Sequence, residues 1–137
     1  MAVVEELLRS EADGAISFGN HKLAHKAKVE DFKHAGDLLK VKTYNEITKL
    51  EKNGMFLYES VPGTSVLDFK EEESGVSFVV EGDEDAQITI GLQEDTDYEV
   101  VVDDKNIGTM NTGLGGKLSL SVELENVGEV SVKIRLV

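Results

Sequence analysis

Two stretches decide the fold: Leu118-Ser-Leu-Ser-Val-Glu-Leu124 and Val130-Ser-Val-Lys-Ile-Arg-Leu136. In each, apolar residues hold every second position, with Ser, Glu, Lys or Arg between them. A period of two puts alternate side chains on opposite faces of a strand. Each stretch is therefore a strand with one apolar and one polar face, as in antiparallel sheets wet on one side. Asn126-Val127-Gly128 turns the chain between them. Tyr98, Val100 and Val102 form a third such strand, which ends at Asp103-Asp104-Lys105-Asn106. Asp and Asn favour turns because they bond their own backbone and tolerate tight φ. Gly113, Gly115 and Gly116 mark the next turn.

The same alternation appears upstream, in Ile88, Ile90 and Leu92 and in Val76, Phe78 and Val80. Five strands with one apolar face each need a second layer, or must close on themselves. The earlier chain supplies more strands. Leu39, Val41 and Thr43 alternate with Lys40 and Lys42, and residues 15–18 and 27–33 read as short strands. Asn53-Gly54 fits the two-residue type I′ hairpin turn, whose central positions both want positive φ, and it joins residues 46–52 to 55–61. Pro62-Gly63 makes another turn before a strand over 64–70. Residues 3–12 read as a helix, because Val4, Leu7, Leu8 and Glu11 follow the i, i+3, i+4, i+7 spacing and Asp13-Gly14 ends it. The expected count is about nine to eleven strands with turns every 8–12 residues or so, the signature of a sandwich or barrel.

The expected molecule is a single, mainly β domain over residues 1–137. It is a two-layer antiparallel β-sandwich, jelly-roll or immunoglobulin-like, with a short N-terminal helix (1–13), a first set of strands (14–70) and an acidic second set (76–137). The chain is long enough to bury a core without disulfides or metals.

Charge divides the two sets. Residues 1–70 carry 10 Lys and Arg against 11 Asp and Glu, a net of −1; residues 71–137 carry 4 against 16, a net of −12. A surface this acidic repels nucleic acid and anionic lipid, so neither a nucleic-acid nor a membrane partner is expected. The absence of cysteine excludes a disulfide framework, a thiolate metal site and a thiol nucleophile. Met1-Ala-Val-Val-Glu-Glu has no basic segment followed by an apolar run, which points to a cytoplasmic location.

Few residues offer chemistry. His21, His25 and His34 are all the histidines; lysines at 22, 26 and 28 crowd the first two, and all three are expected at the surface. The acidic turns are the better cation candidate. Asp83, Asp85, Asp95, Asp97, Asp103 and Asp104 fall at strand ends, where loops at one end of a sandwich could pool oxygens for calcium. Met110-Asn-Thr-Gly-Leu-Gly-Gly-Lys117 fails the phosphate-loop spacing and reads as a turn. Sugar faces stack on exposed aromatic rings. The chain has no Trp, and only Tyr44, Tyr58 and Tyr98 could make such a platform for a glycan. No GxSxG nucleophile elbow is present.

The runs Glu11-Ala-Asp-Gly-Ala-Ile-Ser-Phe-Gly-Asn20, Ile47-Thr-Lys-Leu-Glu-Lys-Asn-Gly-Met-Phe56 and Tyr58-Glu-Ser-Val-Pro-Gly-Thr64 resemble a family of short bacterial proteins of unestablished function, some labelled endosialidase. The label implies an enzyme acting on glycans. Clamping a sialic acid carboxylate commonly takes three arginines, and the chain has only Arg9 and Arg135, so no site residue is carried over from the resemblance. Three functions remain as expectations. The first is a non-enzymatic binding or structural module with a protein partner or a homo-oligomeric assembly through unpaired edge strands. The second is a calcium-stabilised or glycan-binding accessory domain. The third is the glycan-acting enzyme of the label.

Overall fold

The computed structural model describes residues 3–137; Met1 and Ala2 lie outside the described residues. The chain opens with β1 (Leu8–Ser10), β2 (Ile16–Phe18), β3 (Ala27–His34) and β4 (Asp37–Thr43). It continues through β5 (Thr48–Lys52), β6 (Met55–Val61), β7 (Ser65–Glu72), β8 (Gly75–Glu81) and β9 (Ala86–Gly91). It ends with β10 (Asp97–Val102), β11 (Lys105–Asn111), β12 (Lys117–Val122) and β13 (Val130–Leu136). One sheet has seven strands in the order β1-β2-β7-β8-β13-β10-β11, and the other has six in the order β12-β9-β6-β5-β4-β3. Every pairing is antiparallel. The two sheets pack face to face as the sandwich that the alternation requires.

The period-two reading holds in the C-terminal ladder except at its last apolar residue, Leu136, which is exposed. Leu118, Leu120, Val122, Leu124, Val130, Val132 and Ile134 are all buried, and Ser119, Ser121, Lys133 and Arg135 face out. One core cluster draws on strands from both halves of the chain. Its aromatic centre is Phe18, Tyr58, Phe69 and Phe78. Tyr58 sits edge-on to the other three at centroid distances of 5.1, 6.2 and 5.8 Å. Edge-on rings set a positive rim against a negative face, which adds to the area they bury.

The N-terminal helix is not formed; residues 8–10 are a strand instead. Val4 and Leu8 are buried as a helix stripe would require, but a turn at Leu7 (φ 72°) points both inward. The backbone bonds go to the sheet edge. Val4 N donates to Gly19 O, Gly19 N donates to Leu7 O, and Leu8 to Ser10 pair with Phe18 to Ile16. A helix of about three turns is marginal alone, so a sheet edge within reach takes the segment. Gly19 (φ 95°) is needed there, because a Cβ would come within 2.5 Å of Thr64 O.

Asn53 and Gly54 both have positive φ, as the hairpin reading expects. Glu73 and Ser74 make the tight turn between β7 and β8. The strand missed by periodicity is β11, whose seven residues are exposed except for a half-buried Met110. At one lateral corner the sheets are tied by His34, which bonds Ser10 Oγ through Nδ1 and Gly14 O through Nε2.

Buried polar groups bind the β6–β7 crossing. Tyr58 Oη and Ser60 Oγ each lie 2.7 Å from Thr64 Oγ1, and Thr48 Oγ1 donates to Thr64 O while meeting Thr43 Oγ1. Burial pushes the Tyr58 phenol far above its usual range, so it stays a neutral hydroxyl. Two substitutions separate packing from bonding in chemical denaturation. Phe18→Ala is expected to cost about 3–5 kcal/mol, and Tyr58→Phe, which keeps the ring, about 1–2 kcal/mol.

Candidate functional site

The fold separates the six turn aspartates. Asp83 and Asp85 lie in the β8–β9 connection, and Asp103 and Asp104 in the β10–β11 turn at the same end. Asp95 precedes β10 and Asp97 begins it, so both lie at the other end, about 17 Å away along a six-residue strand. Several carboxylates already support turns. Asp85 accepts from Leu124 N and Glu125 N, Asp103 from Ser131 N, and Asp97 from Asn111 Nδ2. Among the described residues, no three His, Cys, Asp or Glu side chains converge to hold a metal ion.

The tyrosine platform is not assembled either. Tyr58 and Tyr98 are buried, and Tyr44 is half-exposed with Lys26 Nζ 5.9 Å from its ring.

His21 corrects the expectation of surface histidines, being 2% exposed. It follows the Gly19-Asn20 turn, and Asn20 N is anchored on Thr43 Oγ1. His21 Nδ1 lies 2.7 Å from Ser65 Oγ, which also accepts from His21 N. Nε2 has no hydrogen-bond partner and stands 3.7 Å from Asp83 Oδ1, which instead takes Lys22 Nζ at 2.6 Å. The residue types are those of a serine triad, but Ser65 is 1% exposed and gives a substrate no approach. Burial holds the imidazole below its ordinary pKa; Asp83 opposes that shift and Lys22 adds to it.

The open site is a cleft of about 520 Å³ where the two sheets part at one end of the sandwich. That volume lies within the range of small-molecule sites. The β5–β6 and β7–β8 turns and the β9–β10 and β11–β12 connections surround it. Leu57, Phe69, Val76, Ile90 and Tyr98 make an apolar floor. Period two aims Val76, Ile90 and Tyr98 inward, and bulges turn Phe69 of β7 and Leu57 of β6 inward as well. Phe56 and Leu92 are half-exposed at the mouth, and Leu92 N donates to Gly116 O, which ties two of the loops together.

The rim is acidic. Glu71, Glu72, Glu73 and Glu94 face two cations, Lys52 and Lys117. Lys52 Nζ pairs with Glu71 at 2.9 Å, and Lys117 Nζ sits 4.5 Å from the Phe56 ring centroid. Glu72, Glu73 and Glu94 are left exposed without a cation partner among the described residues. An apolar floor under unpaired carboxylates suits a ligand with an apolar body and a positive group. Sequence reasoning assigned residues 71–73 no role and missed the cleft. The one signal was three consecutive glutamates following the inward-facing Phe69.

Comparison of the chain with models of protein families, with curated proteins and with solved structures found no match.

The buried imidazole makes stability depend on pH. Its folded pKa lies below the unfolded value near 6.5, so it costs nothing above that pH. Stability is lost as the pH falls from the unfolded value toward the folded one, because only the unfolded chain accepts the proton readily. Wild type should therefore lose more melting temperature than His21→Gln between about pH 7 and pH 5. Parallel pH profiles for the two proteins would refute it.

Proposed function

We propose that the protein is a non-enzymatic binding module whose ligand enters the cleft at the Glu71–Glu73 end of the sandwich. The observation that carries this reading is the opening itself, with a buried apolar floor and an excess of unpaired carboxylates at its rim. A ligand with an apolar body and an ammonium or guanidinium group would bury the first on Phe69, Ile90 and Tyr98 and bring the second to Glu72, Glu73 or Glu94. An apolar floor beneath a rim of carboxylates supports binding as the chemistry of this site.

A second reading is self-assembly, and β12 favours it. The edges of the sheets are β1, β11, β12 and β3. β1 has three residues, and the pairings of β3 and β11 are broken by bulges. β12 pairs with β9 over six residues without a break and leaves its other side open. A regular, unblocked edge is a template for a strand of another chain.

Two measurements test these readings. In NMR titrations, a medium-chain alkylammonium ion should shift the amides around Leu92, Glu94 and Gly116, and the matching alkylsulfonate should not. Glu72→Lys with Glu94→Lys should reverse that preference; equal shifts from both probes, or shifts elsewhere, would defeat the cleft reading. Light scattering over a wide concentration range should show a dimer or larger species, and a monomer throughout would remove self-assembly.

A further inference from the structure

The outer face of the six-stranded sheet carries a charge arrangement that the cleft does not use. Lys28 on β3 is the register partner of Lys42 on β4, and Lys42 is the partner of Lys49 on β5. Three lysines thus stand side by side across three adjacent strands, about 4.8 Å apart from strand to strand. Like charges directly opposite one another destabilise a sheet. None of the three has an ion pair or hydrogen bond among the described residues.

The neighbouring row shows that balance was available. Two residues along β4, Lys40 is opposite Glu51 and 3.7 Å from Glu30. The chain holds 27 acidic residues, yet only Glu59, beyond Lys49, enters the lysine row. Guarding a sheet edge against aggregation explains lysines on edge strands. That accounts for Lys28, but Lys42 and Lys49 lie on the interior strands β4 and β5. Between the side chains is a hollow of about 150 Å³, lined by Lys28, Lys40, Lys42, Lys49 and Glu51.

We propose that this hollow is a binding site for a compact multivalent oxyanion of the phosphate class, distinct from the end cleft. Four lysines line it against one carboxylate, Glu51, and three of the four have no acidic partner among the described residues; lysine meets phosphoryl oxygens as a point charge on a flexible stem. The hollow contains no arginine, so it selects for charge density rather than for the planar fork of a single carboxylate. The ligand is compact because the acidic turns at both ends of the sandwich repel a long polyanion. Their influence on a small ion held between the lysines is screened over roughly 8–10 Å at ordinary ionic strength. Binding neutralises the repulsion that the empty row carries.

Isothermal titration with tripolyphosphate at low salt tests the site. One ion should bind per chain, with an affinity that falls as salt rises. Lys42→Gln and Lys49→Gln should each weaken it about tenfold, the value of one charge-assisted bond. Lys133→Gln, on the outer face of the other sheet, should leave it unchanged. Lys42→Glu should abolish binding and raise the melting temperature, since it puts an acid between two lysines. The proposal is overturned if no tripolyphosphate binds, if Lys42→Gln and Lys49→Gln bind it as tightly as wild type, or if Lys42→Glu lowers stability. It is also overturned if a poly-glutamate peptide binds more tightly, which would make the row a docking face for acidic proteins.

Discussion

Tyr58 is the side chain on which the rest of the structure depends. It belongs to the six-stranded sheet, but its ring packs edge-on against Phe18, Phe69 and Phe78 of the seven-stranded one. A phenol buried without a partner would lose its hydration for nothing. Here the hydroxyl meets Thr64 Oγ1 at the crossing from one sheet to the other. The same residue therefore fixes how the layers stack and where the chain changes layer. The cleft lies beyond this centre, where the aromatic packing ends and the sheets no longer fill the space between them.

The sandwich was legible because its strands are wet on one side. Leu118 to Leu124 and Val130 to Ile134 alternate so strictly that no tertiary knowledge was needed to place their faces. Asn53-Gly54 likewise carries its φ requirement in the residue types alone. The failures share a cause: local patterns that two structures satisfy equally. Val4 and Leu8 suit a helix stripe, and also a bent segment over a sheet edge, and only the free edge of β2 decides between them. In β11, Lys105 to Asn111 bury almost nothing and so show no period.

The site was less legible than the fold. A cleft forms where elements distant in the chain fail to meet, and no stretch of residues records that. His21 looked like a surface residue among lysines. Its burial depends on Ser65, 44 positions away, and on the turn holding Asp83. The lysine row was hidden by averaging. Residues 1–70 are close to neutral in sum, yet the sheet sorts Lys28, Lys42 and Lys49 into one line with Glu59 alone at its end. Net charge describes the far field of a protein; register describes what a ligand meets at contact.

The strand order also has a consequence for how the molecule is made. β13 is the last strand of the described residues, yet it lies between β8 and β10, inside the seven-stranded sheet. Until it arrives, those two strands have no common neighbour, and the backbone edges that pair with it in the finished sheet stay open. Assembly is therefore gated by a late, non-local closure, the kind of step that slows folding and leaves unpaired edges open to other chains. Residues 71–137, with a net charge of −12, repel their counterparts on other copies, which opposes association through such open edges.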